Sequence, residues 1–143
     1  MESSSFVHRL RVRYSECDPQ GVVFNGWFLF YYDVALTELH REVLGSYSDF
    51  AAAGLEIVVA EASVRYLAPA RFDDWIDVGL TIGRLGRTSF SLDARFLVEN
   101  RLTATATARH VVIDAASGKK TELPRDLRAA LARLVATPDA ECG

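Results

Sequence analysis

Asp18 stands where a carboxylate can do chemistry. It lies in the loop SECDPQG, residues 15 to 21, seven residues before Asn25, where a helical pattern begins. The first turn of a helix carries backbone N–H groups without intrahelical partners, at the positive end of the helix dipole. A carboxylate sharing a small volume with the N–H groups of Asn25 and Gly26 can work on a carbonyl carbon. The N–H groups hold the oxyanion, while the acid acts as base toward water or attacks the carbonyl itself. The same residues also spell a plain turn, since Asp-Pro before Gly is a common one and an aspartate there usually bonds its own backbone. Taken alone, the loop supports both readings.

The elements that must position Asp18 are read from periodicity. Residues 6 to 14 alternate, with His8, Leu10, Val12 and Tyr14 on one face and Arg9, Arg11 and Arg13 on the other, as in a half-buried strand. From Asn25 to Leu44 the period is helical, with Asn25 as N-cap and Gly45 as the stop. Its opening run WFLFYY is apolar on every side and is expected to be enclosed. A short helical piece is expected over Ser46 to Ala53. Four alternating runs follow at 56–67, 75–83, 88–99 and 102–113. Val58, Ala60, Ala62, Val64 and Tyr66 are expected to share a face. So are Ile76, Val78, Leu80 and Ile82, and then Phe90, Leu92, Ala94, Phe96 and Val98. In the last run, Leu102, Ala104, Ala106 and Ala108 oppose Thr103, Thr105 and Thr107, and the small alanines leave room for a bulky helix to pack close. Gly86, Asn100 and Gly118 supply turns, and residues 124 to 136 read as a closing helix begun by Pro124. One early buried helix followed by an antiparallel meander predicts an α+β roll, not a doubly wound parallel sheet. The roll has sheet edges to protect, so pairing into dimers is expected.

The chain of 143 residues suits a single domain, 1–143, with short tails. Half of its residues are hydrophobic and 24% are charged, the balance of a soluble globular protein. A net charge of −3 offers no basic field to a nucleic acid. The two cysteines, Cys17 and Cys142, sit at opposite ends and suggest no disulfide framework. No signal sequence or membrane span is expected, which with the free thiols points to the cytoplasm. No G-x-S-x-G, P-loop, G-x-G-x-x-G or H-E-x-x-H motif occurs. His8, His40 and His110 are scattered without metal-ligand spacing and are expected in core or surface roles. Cys17 adjoins Asp18, whose charge discourages a thiolate nucleophile.

The segment Tyr14 to Glu38 closely resembles the signature of the 4-hydroxybenzoyl-CoA thioesterase family of hotdog-fold proteins. An acidic pair flanks one residue (Glu16, Cys17, Asp18), followed by Gly21, the hydrophobics Val22 and Val23, Phe24, and a helix carrying Tyr31, Tyr32 and Asp33. The first acid of the pair is often Asp in that family and is Glu16 here. Weaker similarity continues at Val64 to Val78 and Leu85 to Leu92, so the resemblance covers most of the chain. It implies a hotdog fold, a curved antiparallel sheet of about five strands around one long central helix. It also implies hydrolysis of an acyl-CoA thioester to the acid and free CoA, at a pocket between two subunits of a homodimer or dimer of dimers. Asp18 is then the catalytic carboxylate and the backbone N–H at Asn25 polarises the thioester carbonyl, with no metal or cofactor. Hotdog dehydratases use a histidine in this region, and none occurs between Val12 and Leu39.

Within that expectation, Gly21, Val22, Val23 and Phe24 form the substrate loop. Asp33 either orients pocket groups and meets a polar acyl tail or is a structural acid. Arg84 and Arg87 either bind coenzyme A phosphates or are solvated turn charges, while Ser63 and Ser89 line the site or nothing. Trp27, Phe28, Tyr31, Tyr32, Trp75 and Phe90 can pack an aromatic acyl group but are equally good core residues. A thioesterase for acyl carrier protein would need a cationic face, for which Arg9, Arg11 and Arg13 are candidates. A noncatalytic acyl-CoA-binding domain is a further alternative, against which the presence of Asp18 argues.

Overall fold

A computed structural model describes residues 6–44 and 47–134. Strand β1 (Phe6–Arg11) leads through a 3-10 turn at Tyr14–Glu16 to helix α1 (Trp27–Leu44) and a short helix α2 (Tyr47–Ala52). Four strands follow, β2 (Leu55–Tyr66), β3 (Trp75–Leu85), β4 (Ser89–Val98) and β5 (Arg101–Asp114), and helix α3 (Arg125–Ala132) closes the described chain. The five strands form one sheet in the order β1-β3-β4-β5-β2, each neighbour antiparallel. This is the α+β roll expected from the alternation, with β1 and β2 at its edges.

One stripe of α1, Phe28, Tyr31, Tyr32, Ala35 and Leu39, is buried against the sheet, the spacing of a single helix face. The small residues Ala104, Ala106 and Ala108 of β5 lie under it, fully buried. They leave space for rings, and Phe28 meets Phe96 edge-on at 5.3 Å between centroids. Ile76, Val78 and Leu80 of β3 and Phe90, Leu92, Ala94, Phe96 and Val98 of β4 complete the core.

Several expectations are corrected. The WFLFYY run is not enclosed on every side, because Leu29 and Phe30 project from the outer side of α1 with Phe30 51% exposed. A helix packed on one sheet buries one face and leaves the other outside. Helix α1 begins at Trp27, and no side-chain hydrogen bond from Asn25 caps it among the described residues; instead the Trp27 N–H donates to the Phe24 carbonyl at 3.0 Å. Tyr14 leaves the inner face of β1 for the 3-10 turn and is 78% exposed. In β2 the single face fails at a bulge between Val59 and Glu61. Leu55 and Ile57 pack on the core before it and Val64 after it, while Val58 and Ala60 are exposed. The stop at Gly45, the start at Ser46 and the end of the closing helix beyond residue 134 lie outside the described residues, as does Cys142. Among the described residues no helix is long and apolar enough to cross a membrane.

Candidate active site

The Asp18 loop is a tight hairpin. Cys17 and Val23 form an antiparallel bridge, the Asp18 N–H donates to the Val22 carbonyl at 2.8 Å, and the Gly21 N–H donates to the Asp18 carbonyl at 2.8 Å. Gly21 has φ +83°, a left-handed conformation that a glycine adopts without the Cβ penalty. Asp18 Oδ1 accepts the Gln20 N–H at 2.8 Å, so the turn reading of this residue is realised. Its Oδ2 takes no hydrogen bond from the described residues. The hairpin docks through the Val23 N–H on the Ala70 carbonyl, at 2.8 Å, and through a bridge between Val22 and Arg71.

Glu16, the other acid of the pair, faces inward. Its side chain is 1% exposed. Oε1 accepts the Arg13 N–H at 2.9 Å and the Tyr31 hydroxyl at 2.7 Å, and Oε2 meets the Arg13 guanidinium at 2.6 Å. Burial disfavours its charge, but the Arg13 N–H, the Tyr31 hydroxyl and the Arg13 guanidinium outweigh that cost and hold its pKa below the ordinary value. The same contact, with burial, drives the Tyr31 phenol upward. Glu16 therefore ties the loop to α1. Sequence reasoning placed Glu16 in the acidic pair without giving it this anchoring role, and Tyr31, fifteen residues on, is the signal that pairs with it.

Beyond the hairpin a cleft of about 340 Å³ opens, lined by Asp18, Val22, Val23, Asn25 and Phe28 on one side and by Tyr66 to Ala70 on the other. Apart from Asp18 and the polar tips of Asn25 and Tyr66, its walls are apolar. At its helix end the Phe28 N–H reaches the Asn25 carbonyl at 3.3 Å, while the N–H groups of Asn25 and Gly26 donate to no acceptor among the described residues. Tyr66 was not anticipated as a site residue. Its hydroxyl donates to the Asn25 carbonyl at 3.0 Å and its ring meets Phe28 edge-on.

Other candidates fall elsewhere in the chain. Phe24 is exposed beside the cleft, and Asp33 is exposed on the outer side of α1. Ser63 lies on the exposed stretch of β2, paired with Thr107 of β5. Arg84, Arg87 and Ser89 sit around the β3–β4 turn, at the end of the sheet remote from the Asp18 loop. There the Arg87 carbonyl accepts the Leu123 N–H and the Ser89 carbonyl the Gly86 N–H. Of the aromatic candidates, Phe28 lines the cleft. Tyr31, Tyr32 and Phe90 belong to the core, Trp27 packs against it, and Trp75 lies under the Arg11 guanidinium at 4.2 Å. Arg9, Arg11 and Arg13 each face a carboxylate, of Asp77, Asp73 and Glu16 respectively. Each arginine of that candidate cationic face therefore has a carboxylate beside it. Burial and the charges of Glu16, Asp18 and Asp74 raise the Cys17 thiol, which disfavours its thiolate.

Comparison with known proteins agrees with this architecture. The Thioesterase-like superfamily profile matches residues 12–131. The chain is 31% identical to the acyl-CoA thioester hydrolase YbgC of Escherichia coli, over 89% of this chain and 96% of that one. It is 29% identical to the 1,4-dihydroxy-2-naphthoyl-CoA hydrolase of Nostoc punctiforme, over 86% of this chain and 84% of that one. Among solved structures, a 1,4-dihydroxy-2-naphthoyl-CoA thioesterase from Synechocystis superposes with a TM-score of 0.83 at 26% identity, covering 90% of this chain and 96% of that one. A hypothetical protein from Aquifex aeolicus gives 0.83 at 29% identity, covering 88% and 98%. With a curved sheet around α1 and a profile match over most of its length, the chain belongs to the thioesterase-like superfamily as a hotdog-fold thioester hydrolase.

Proposed function

We propose that this protein hydrolyses acyl-CoA thioesters to the carboxylic acid and free CoA, with Asp18 as the reacting carboxylate. The observation that carries the reading is that Asp18, whose Oδ2 takes no hydrogen bond from the described residues, and Asn25, whose N–H donates to no described acceptor, line one largely apolar cleft. A thioester carbonyl seated there has its oxygen toward the Asn25 N–H and its carbon toward Asp18. Asp18 either takes a proton from attacking water or attacks the carbon itself. In both routes the C–S bond breaks, CoA leaves as the thiolate, and charge building on the carbonyl oxygen meets the helix terminus; in the second, water then hydrolyses the acyl–Asp18 anhydride to free the acid and restore the carboxylate. The acyl-CoA hydrolases among its relatives support coenzyme A as carrier. The pairing of Arg9, Arg11 and Arg13 with carboxylates gives the carrier-protein reading no observation of its own.

The cleft is proposed to be completed by a second copy of the chain. Strand β2 runs for 12 residues with its outer edge unpaired among the described residues, and Val58 and Val59 on it are exposed. A long apolar edge of this kind is normally covered, and a two-fold partner covers it by continuing the sheet. Tyr66, at the end of β2, lines the cleft, so a partner on that edge lies beside the reacting groups.

The test is thiol release from a panel of aliphatic and aromatic acyl-CoA esters by wild-type and Asp18→Asn protein. Asp18-dependent release supports the reading. Wild-type rates in a folded Asp18→Asn protein would remove Asp18 from the chemistry, and tight binding without turnover by the wild type would make the protein a binding domain.

A further inference from the structure

We propose that Asn25 acts as a catalytic residue through its carboxamide, the second donor to the thioester oxygen beside its own backbone N–H. The proposal rests on the reading above, in which the start of α1 holds that oxygen. Two peptide groups decide which backbone donors face the cleft. The Tyr66 hydroxyl reaches the Asn25 carbonyl from across it, and no peptide bond in the described chain is cis, so the Gly26 N–H on the same peptide points away. The Phe24 carbonyl accepts the Trp27 N–H at 3.0 Å, toward α1, so the Asn25 N–H at the other end of that peptide is directed off the helix start. One backbone donor therefore remains for an oxygen that has more than one lone pair to satisfy.

The side chain of the same residue is placed to supply the second. An asparagine just before a helix commonly turns its side chain back to cap the first N–H groups. Asn25 does not, and its carboxamide makes no hydrogen bond to any described residue; it is exposed and lines the cleft with Asp18. The other lining side chains offer no substitute. Asp18 presents a carboxylate, which accepts, the Tyr66 hydroxyl already donates to the Asn25 carbonyl at 3.0 Å, and the rest are apolar. The carboxamide hangs from the Cα that carries the N–H, so rotation about χ1 and χ2 can bring both donors to one acceptor. Tyr66 meanwhile holds the backbone of Asn25 from the opposite wall, where its ring packs edge-on against Phe28 at 5.8 Å between centroids. When substrate excludes water from these apolar walls, a donor aimed at charge building on the oxygen counts for more than it does in solvent.

Asn25→Ala removes the carboxamide and keeps both peptide groups, with the Tyr66 hydroxyl still on the carbonyl at position 25. Thermal unfolding is expected to match the wild type, since the side chain caps nothing. In the same protein kcat is expected to fall about 10²-fold while KM stays within about twofold, the pattern of an interaction made in the transition state. Asn25→Asp keeps the size but sets a negative charge where an N–H stood, so at pH 7 it is expected to turn over more slowly than Asn25→Ala. The direct readout is the infrared carbonyl stretch of the ester released fastest in the panel, ¹³C-labelled at its thioester carbonyl and bound to Asp18→Asn protein. Its red shift from solution is expected to shrink when Asn25→Ala is added. Unchanged kcat and stretch, a rise in KM alone, or faster turnover by Asn25→Asp than by Asn25→Ala would each overturn the proposal, while Asp18-dependent release leaves the underlying reading standing. A wild-type protein that releases no thiol overturns that reading, and the proposal with it.

Discussion

At the scale of single residues, the acidic pair divides its labour. The two side chains on either side of Cys17 meet opposite environments, Glu16 inside and Asp18 at a cleft. An asparagine at position 18 still accepts the Gln20 N–H through its amide oxygen, so the turn should survive the change. Asp18→Asn is therefore expected to keep its unfolding midpoint while losing roughly 10²–10⁴-fold in turnover, the scale of a positioned acid or base. Steady-state kinetics beside a thermal melt check both halves. Glu16→Ala should behave in the opposite sense, leaving the Tyr31 hydroxyl buried without its acceptor. It is expected to cost at least about 1–3 kcal/mol in urea denaturation. A protein of unchanged stability would show that the loop anchor is not Glu16. The place of Asp18, in a loop just before a helix start, was legible from spacing, but its reading as the reacting acid came from the family resemblance, because the same residues alone spell a turn. The fate of Glu16 was not legible, since spacing alone does not say which acid turns toward a tyrosine a helix away. Nor was Tyr66, which meets Asn25 only through the fold, 41 residues apart.

At the scale of elements, alternation located all five strands and the long helix, because one buried face repeats every second residue in a strand and a stripe repeats every three to four in a helix. It failed where a local event changes the face without changing composition. The bulge at Val59–Glu61 hands the core side of β2 from odd to even positions, and the surrounding run of small and branched apolar residues hides the shift. The apolar WFLFYY run misled in a related way, for a helix against one sheet buries one stripe and leaves Leu29 and Phe30 outside. Val59, 59% exposed near the middle of the open edge, is the place to test whether a second copy covers it. Val59→Asp sets two like charges close together across an antiparallel two-fold. Sedimentation velocity at micromolar concentration is expected to shift toward monomer, with loss of thioester hydrolysis if the partner completes the cleft. An unchanged oligomer would rule out the β2 edge as the contact.

At the scale of the whole molecule, the layers are joined by a polar contact inside the core that will govern behaviour in acid. His110 of β5 is buried opposite α1, stacked on Phe90 and Tyr32, with Nε2 sharing a 2.6 Å hydrogen bond with the Tyr32 hydroxyl. Burial lowers its pKa from 6.5 to about 4. Between those values the unfolded chain binds more protons at this site than the folded one. The contribution is whole above about 6.5 and is lost as pH falls toward about 4. Each unit of separation is worth about 1.4 kcal/mol, so protonation at this one site in acid removes a substantial share of a small domain's stability. Glu16 adds to the same trend at lower pH. Its folded pKa lies below 4.5, so the anchor persists above that value and fails as pH drops through the folded one. Urea midpoints measured from pH 7 to pH 4 should fall steadily in the wild type. His110→Gln retains a hydrogen-bonding partner for Tyr32 without a titrating ring, so it should start lower and fall less between pH 6.5 and 4.5. If both proteins fall in parallel, the acid sensitivity resides elsewhere and the buried imidazole is not the group that titrates. If the variant flattens, the contact that locks α1 onto β5 is also what limits the fold in acid, at a distance in the sheet from the cleft that Asp18 lines.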